Sequence, residues 1–373
     1  MADNETMMAE TGAPGAASEG RGGGRIQSLD ALKLLAIFLV LWGHCLLEMT
    51  TTDSSYDPMF RFISSFHMPL FMMIAGFFYY YTFRPGFLRN VWHKFRQVLL
   101  PLVCWTVIFE VYLWYVYRYD EPAHLIHALH YGLWFLKSLF VCCMLGYFVY
   151  APGRMWLRWT MLVLTLAVSQ LIGLSTWMYP CFLAGGAVCI LRGQMLRHLW
   201  WVLGVSGVLF AATLCFFDAE TMQVADDHFS RKLIFTEPGA VALYRLQRDV
   251  TGIAGGLFFI ALFELLFATP RRGRFALWAC RWGKLTLGIY ILQTLLLEFM
   301  LARWVKFDGM NYLLFTFVVA PLISMAVMAL SVGIIRLIQR SRVASFLLLG
   351  SRWKNGKFKI KNLKLPSGRG REE

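Results

Sequence analysis

Beyond Leu29 the chain alternates long apolar runs with short polar breaks. Several runs approach the roughly 20 residues that a helix needs to cross about 30 Å of hydrocarbon, a length no soluble core demands. The pattern predicts an all-α integral membrane protein with about ten transmembrane helices. They are expected over residues 29–49, 60–82, 98–118, 131–150, 158–174, 176–191, 199–217, 250–269, 285–303 and 311–336. The break between the fifth and sixth, Gly173 to Trp177, is short.

Composition strengthens this picture. Of 373 residues, 58% are hydrophobic and only 16% charged, with a mean hydropathy of +0.55, so the chain belongs in a bilayer rather than in two soluble domains. The net charge of +14 would suit nucleic acid, because basic surfaces attract phosphate. Its distribution argues for topology instead, and no nucleic-acid partner is expected. With the N-terminus in the cytoplasm, twenty-six of the 36 Lys and Arg residues fall in inside segments, so both termini are expected there by the positive-inside bias.

Residues 1–25, rich in Gly, Ala, Glu and Ser, are expected to form a disordered cytoplasmic leader. Residues 26–345 would be the transmembrane domain, and 346–373 a basic cytoplasmic tail suited to anionic membrane lipids. No cleavable signal peptide is visible. The one sizeable outside segment, Asp218 to Asp249, is placed to cap an extracytoplasmic opening. The 8 Cys show neither a C-x-x-C pair nor zinc spacing, so no metal is expected.

Two ionisable residues, Lys33 and His44, interrupt the first run. Such groups are costly inside a bilayer and usually face a polar interior or pathway. Their spacing returns them to nearly the same helix face, about 16 Å apart along the axis. Lys33 then lies near the inner end and His44 beyond the midplane. The plainer alternatives are that Lys33 snorkels to the interface and that His44 hydrogen-bonds a neighbouring helix. The second run brings His67 to a similar depth, followed by Pro69, which removes a backbone hydrogen bond, and Gly76, which permits close approach. Two histidines at one level suggest a shared site, against the alternative of a kinked packing helix. Glu110, Glu264 and Glu298 are further intramembrane carboxylates. Glu298, in the outer part of its run, is the preferred orienter of His44 or His67.

Several blocks carry a family resemblance. Lys33 and His44 after Asp30, Phe66–Phe71 (Phe-His-Met-Pro-Leu-Phe) with Gly76, Trp134–Phe140, Tyr179–Gly185 and Gly283–Gln293 occur in an order similar to that of the acyltransferase 3 family, closest to its sugar O-acetylase branch. The resemblance spans about residues 26 to 340. It implies a ten-helix domain in the bacterial inner membrane. It also implies an enzyme moving an acetyl or other short acyl group from cytoplasmic acyl-CoA, here acetyl-CoA, to a hydroxyl of a surface polysaccharide or lipid-linked sugar. Two departures stand out: the family usually has Arg where this chain has Lys33, and often His where it has Gln293.

Acyl transfer needs a base near the acceptor hydroxyl and donors for the developing oxyanion. His44 fits the base, His67 an orienting or acceptor-binding group, and Lys33, Arg84 and Arg271 are positioned to hold cofactor phosphates at the inner face. A transporter of a sugar or lipid-linked sugar would use the same polar residues as a pathway. It accounts less well for the ordered blocks.

Overall fold

The computed structural model describes residues 26–51, 53–83, 85–117, 133–172, 176–223, 238–268 and 274–351. These form helices joined by short turns, with no strand among them. In chain order the helices are α1 (Gln27–Glu48), α2 (Pro58–Tyr81), α3 (Phe87–Lys94), α4 (Leu100–Tyr117), α5 (Trp134–Tyr150), α6 (Met155–Ile172), α7 (Tyr179–Arg197), α8 (Leu199–Leu214), α9 (Ala219–Gln223) and α10 (Pro238–Ala268). They continue with α11 (Arg274–Trp282), α12 (Thr286–Gln293), α13 (Ala320–Ile338) and α14 (Arg342–Leu349). Among the described residues, π-helical stretches join α3 to α4 (Phe95–Leu99), prolong α12 (Thr294–Leu301) and lead into α13 (Phe315–Val319).

Each of the ten expected segments falls mainly on helix, and among the described residues six helices alone are long and apolar enough to cross a membrane: Gln27–Glu48, Pro58–Tyr81, Phe87–Val116, Gly239–Ala268, Thr286–Trp304 and Tyr312–Ile338. Thr176–Arg197 and Leu199–Leu214 pass that test only as a pair, bent by 117° at His198. Trp134–Tyr150 and Met155–Leu171 are shorter apolar helices. The segment expected to loop between Asp218 and Asp249 is partly helical. Its polar residues mimic a loop in sequence, yet Arg245 donates to the Gln170 carbonyl (3.1 Å) and Arg248 to the carbonyls of Thr221 (3.2 Å) and Met222 (2.9 Å). Paired in this way, they let α10 begin at Pro238.

Local chemistry fixes the helix ends near the site. Asp57 accepts from the Phe60 amide (2.8 Å) ahead of Pro58, a cap that satisfies a backbone donor the helix leaves over. Asn311 does the same for Leu313 and Leu314. Gly350, at φ 61°, closes α14 in the left-handed conformation that suits glycine.

Helices α1 and α2 form the centre. α1 packs against α2, α10, α11, α12 and α13, and α2 against α7 and α10 as well. Leu32, Ala36, Ile37, Leu41 and Cys45 of α1 are fully buried, as expected of a helix apolar on all sides. Peripheral helices instead expose large apolar side chains, Trp200, Trp201, Val205 and Val208 on α8 among them, a surface suited to lipid. At the crossing of α2 and α7, a methyl group built on Gly76 would collide with the backbone carbonyl of Phe182, and one on Gly185 with that of Met73. The two backbones touch there, which fixes the height of α2 and hence of His67.

Candidate functional site

His44 stands on α1 with its Nδ1 3.1 Å from Glu298 Oε1. The Nδ1–H is not aimed squarely at that oxygen, so the contact is an ion-pair distance rather than an aligned hydrogen bond. Both side chains keep partial access, 27% and 20%, which distinguishes them from locked core groups. The Gln293 amide donates to the same carboxylate oxygen (2.9 Å) and to the Thr294 hydroxyl (3.0 Å), which donates to Glu298 in turn (3.3 Å). The carboxylate is thereby held at its position beside the imidazole.

The π-helical stretch Thr294–Leu301 makes this cluster possible. Five residues along an ordinary α-helix, Gln293 and Glu298 would point about 140° apart. The wider i→i+5 winding brings them to one face, and their side chains meet. The other π stretches adjoin α1 and the cavity below it. Trp42 Nε1 of α1 donates to the carbonyl of Thr316, inside Phe315–Val319 (2.9 Å), and Arg96, Gln97 and Val98 of Phe95–Leu99 line the cavity described next.

His67 lies within electrostatic reach of His44 and of Arg248. Its Nδ1 is 2.6 Å from the Ile63 carbonyl. A carbonyl only accepts, so Nδ1 is the donor here and Nε2 is the ring nitrogen left for another partner. Pro69 is accommodated by Gly252 of α10, where a methyl group would approach the Pro69 ring to 2.6 Å.

Below the histidines runs a cavity of about 800 Å³, within the usual range for small-molecule sites. Its basic end carries Lys33, Arg89, Lys94, Arg96 and Lys284; its other end is apolar, with Met68, Phe71, Phe135 and Tyr290. Along α2 the lining runs from Thr82 to Met68, about 21 Å of helix rise, and Met68 is the neighbour of His67. Lys33 pairs with Asp30 (3.1 Å) and sits 4.0 Å over the Phe78 ring, so its charge is held at the wall. The peptide at the α11–α12 corner packs on α1 so closely that a side chain at Gly283 would collide with the Asp30 carbonyl.

The structure thus brings together His44, Glu298 and, nearby, His67, and places Lys33 in the cavity at the opposite end of α1. Arg84 and Arg271 lie outside the described residues. Of the other carboxylates, Glu264 pairs with Arg192 (3.2 Å) and not with a histidine. Sequence reasoning gave no role to Thr294, Tyr290 or Phe135. The last two stood in plain view within the blocks that carried the resemblance.

A bundle of long apolar helices with ionisable groups brought together inside it marks a multi-pass membrane protein with an internal polar site. The profile of the acyltransferase 3 family, described as an acyltransferase domain, matches residues 26–336, and the chain belongs to that family. It is similar to nodulation protein NolL of Sinorhizobium fredii (strain NBRC 101917 / NGR234), 36% identical over 87 residues, covering 22% of this chain and 24% of that protein. NolL of Mesorhizobium japonicum (strain LMG 29417 / CECT 9101 / MAFF 303099) is 38% identical over 85 residues, covering 22% and 23%. The alignments therefore span about a quarter of these curated relatives. No solved structure matches the chain.

Proposed function

We propose that this membrane acyltransferase moves an acetyl or other short acyl group from cytoplasmic acyl-CoA to a hydroxyl of a surface polysaccharide or lipid-linked sugar. It would work from the bacterial inner membrane, with ten helices crossing and both termini cytoplasmic. The observation that carries the reading is the placement of a His44–Glu298 pair beyond the apolar end of a cavity whose other end is basic. Lys33, Arg89, Lys94, Arg96 and Lys284 suit the phosphates and diphosphate of CoA, with Arg84 and Arg271 completing that set. Lys offers phosphate a point charge without the bidentate fork of Arg. The rise of about 16 Å from Lys33 to His44 suits an extended pantetheine arm.

In the reaction His44 is the general base. Its Nδ1 faces Glu298, so Nε2 takes the proton of the acceptor hydroxyl as that oxygen attacks the thioester carbonyl carbon. The tetrahedral intermediate collapses with rupture of the C–S bond, the acyl ester forms, and the departing thiolate recovers the proton from the imidazolium. Glu298, held by Gln293 and Thr294, balances the charge of His44 while it is protonated. Nε2 of His67, on the neighbouring helix, is suited to orienting the acceptor.

The test is release of free CoA from acetyl-CoA by the purified chain in lipid, with a crude polysaccharide or lipid-linked sugar extract. Acceptor-dependent release should fall by about 10²–10⁴ in His44→Ala. Undiminished release in that variant would remove His44 from the reaction. Absence of release with every extract, from folded wild-type protein, would favour transport of the same sugars.

A further inference from the structure

Polar lining gives way to apolar bulk along the elements that line the cavity. Lys33 is followed by Ile37 on α1, Lys284 in the turn before α12 by Tyr290 on that helix, and Thr82 at the end of α2 by Phe71 and Met68 within it. At that end the rings interlock. Phe71 and Phe135 meet edge to face with centroids 6.1 Å apart, and Phe135 and Tyr290 at 5.8 Å. The Tyr290 ring packs on Phe135, and its hydroxyl lies within electrostatic reach of Glu298. Phe135 and Tyr290 are only 7% and 8% exposed, and the helix that carries Phe135 starts from Leu133 held in the left-handed region at φ 46°. His44 stands a further seven residues beyond Ile37, about 10 Å along α1. The rings therefore line the end of the cavity that lies nearer the His44–Glu298 pair.

We infer that Phe71, Phe135 and Tyr290 form the wall that sets acyl length, admitting a short acyl thioester and turning away longer chains. The inference rests on the acyl-CoA reading of the cavity. Close-packed rings resist insertion of further methylenes. Tyr290 is buried and packed edge to face on Phe135, so it cannot swing aside without disturbing that packing. One methylene too many in a close-fitting apolar pocket changes preference by about 10- to 200-fold.

The measurement is displacement of a fluorescent CoA derivative from the full chain in lipid nanodiscs by acetyl-CoA, butyryl-CoA and hexanoyl-CoA. Wild-type protein should bind hexanoyl-CoA at least about tenfold more weakly than acetyl-CoA, and Phe135→Ala should bring the two within about threefold. Phe71→Leu, a gentler change to the same wall, should shift the ratio in the same direction and serves where Phe135→Ala does not fold. Equal binding of the three thioesters by wild type, or discrimination unchanged in the folded variants, would overturn the wall alone. Wild-type protein that binds acetyl-CoA no better than ATP would overturn the donor reading, and the wall with it.

Discussion

A carboxylate that only orients a base should leave a different trace from the base itself. Glu298 receives the Gln293 amide (2.9 Å) and the Thr294 hydroxyl (3.3 Å) as well as facing His44 (3.1 Å). Glu298→Gln preserves shape but replaces an acceptor-only group with one that also carries donors. The variant should lose about 10²-fold in kcat with little change in KM for acetyl-CoA, because the loss falls on the protonated imidazole and not on donor binding. Steady-state kinetics in nanodiscs check this, and a loss confined to KM would assign Glu298 to binding instead. His44, His67 and Lys33 could be found from sequence because a titratable residue in an apolar run is conspicuous. The partnership of Glu298 with Gln293 could not. Gln293 read from sequence as a position that had lost a base, and only the geometry shows its amide donating to the carboxylate.

At the scale of the element, the apolar runs revealed where helices lie, while their windings and crossings escaped the pattern. Hydrophobic periodicity does not distinguish a π-helical stretch from an α-helix over a few residues, so Thr294–Leu301 was invisible although the site depends on it. The junction Phe95–Leu99 likewise joins α3 to α4 where the sequence suggested a basic loop entering a span at residue 98. Glycine spacing was more informative, since Gly76 was expected to admit a neighbour and does lie backbone to backbone with α7. That crossing yields a paired test within one helix. A methyl group on Gly185 meets the Met73 carbonyl, whereas one on Gly193 meets nothing within 4 Å. Gly185→Ala should therefore destabilise the protein by about 1–3 kcal/mol, and Gly193→Ala should be neutral or stabilising by up to about 1 kcal/mol. Melting temperatures in detergent, compared with wild type, would distinguish the two; equal effects would mean that α2 and α7 do not cross in contact there.

For the whole molecule, the asymmetry of charge between the two ends of the bundle bears on both orientation and function. The end that holds Lys33 also holds Arg89, Lys94, Arg96, Arg154, Arg158, Arg281 and Lys284, while the His44 end carries Asp53, Asp57 and Asp308 beside Arg61 and Lys306. By the positive-inside bias the first end is expected to face the cytoplasm, the side from which the proposed acyl-CoA donor would come, and the second to face the proposed acceptor. Orientation is thus tied to mechanism, because an inverted molecule would present its basic cavity to a compartment without donor. Two engineered cysteines can decide it. Tyr56, 71% exposed beside Asp57 at the His44 end, and Gly153, with open space around it on the turn between α5 and α6, are suitable positions once the exposed Cys215 is replaced by Ser. In intact cells a membrane-impermeant maleimide should label Tyr56→Cys and spare Gly153→Cys, and permeabilisation should make both reactive. The reverse pattern would place the basic cavity outside and remove cytoplasmic acyl-CoA as its ligand. Labelling of both positions in intact cells would show that the reagent had crossed the membrane or that the bundle does not hold one orientation, and neither case fits a donor drawn from one side and an acceptor met on the other.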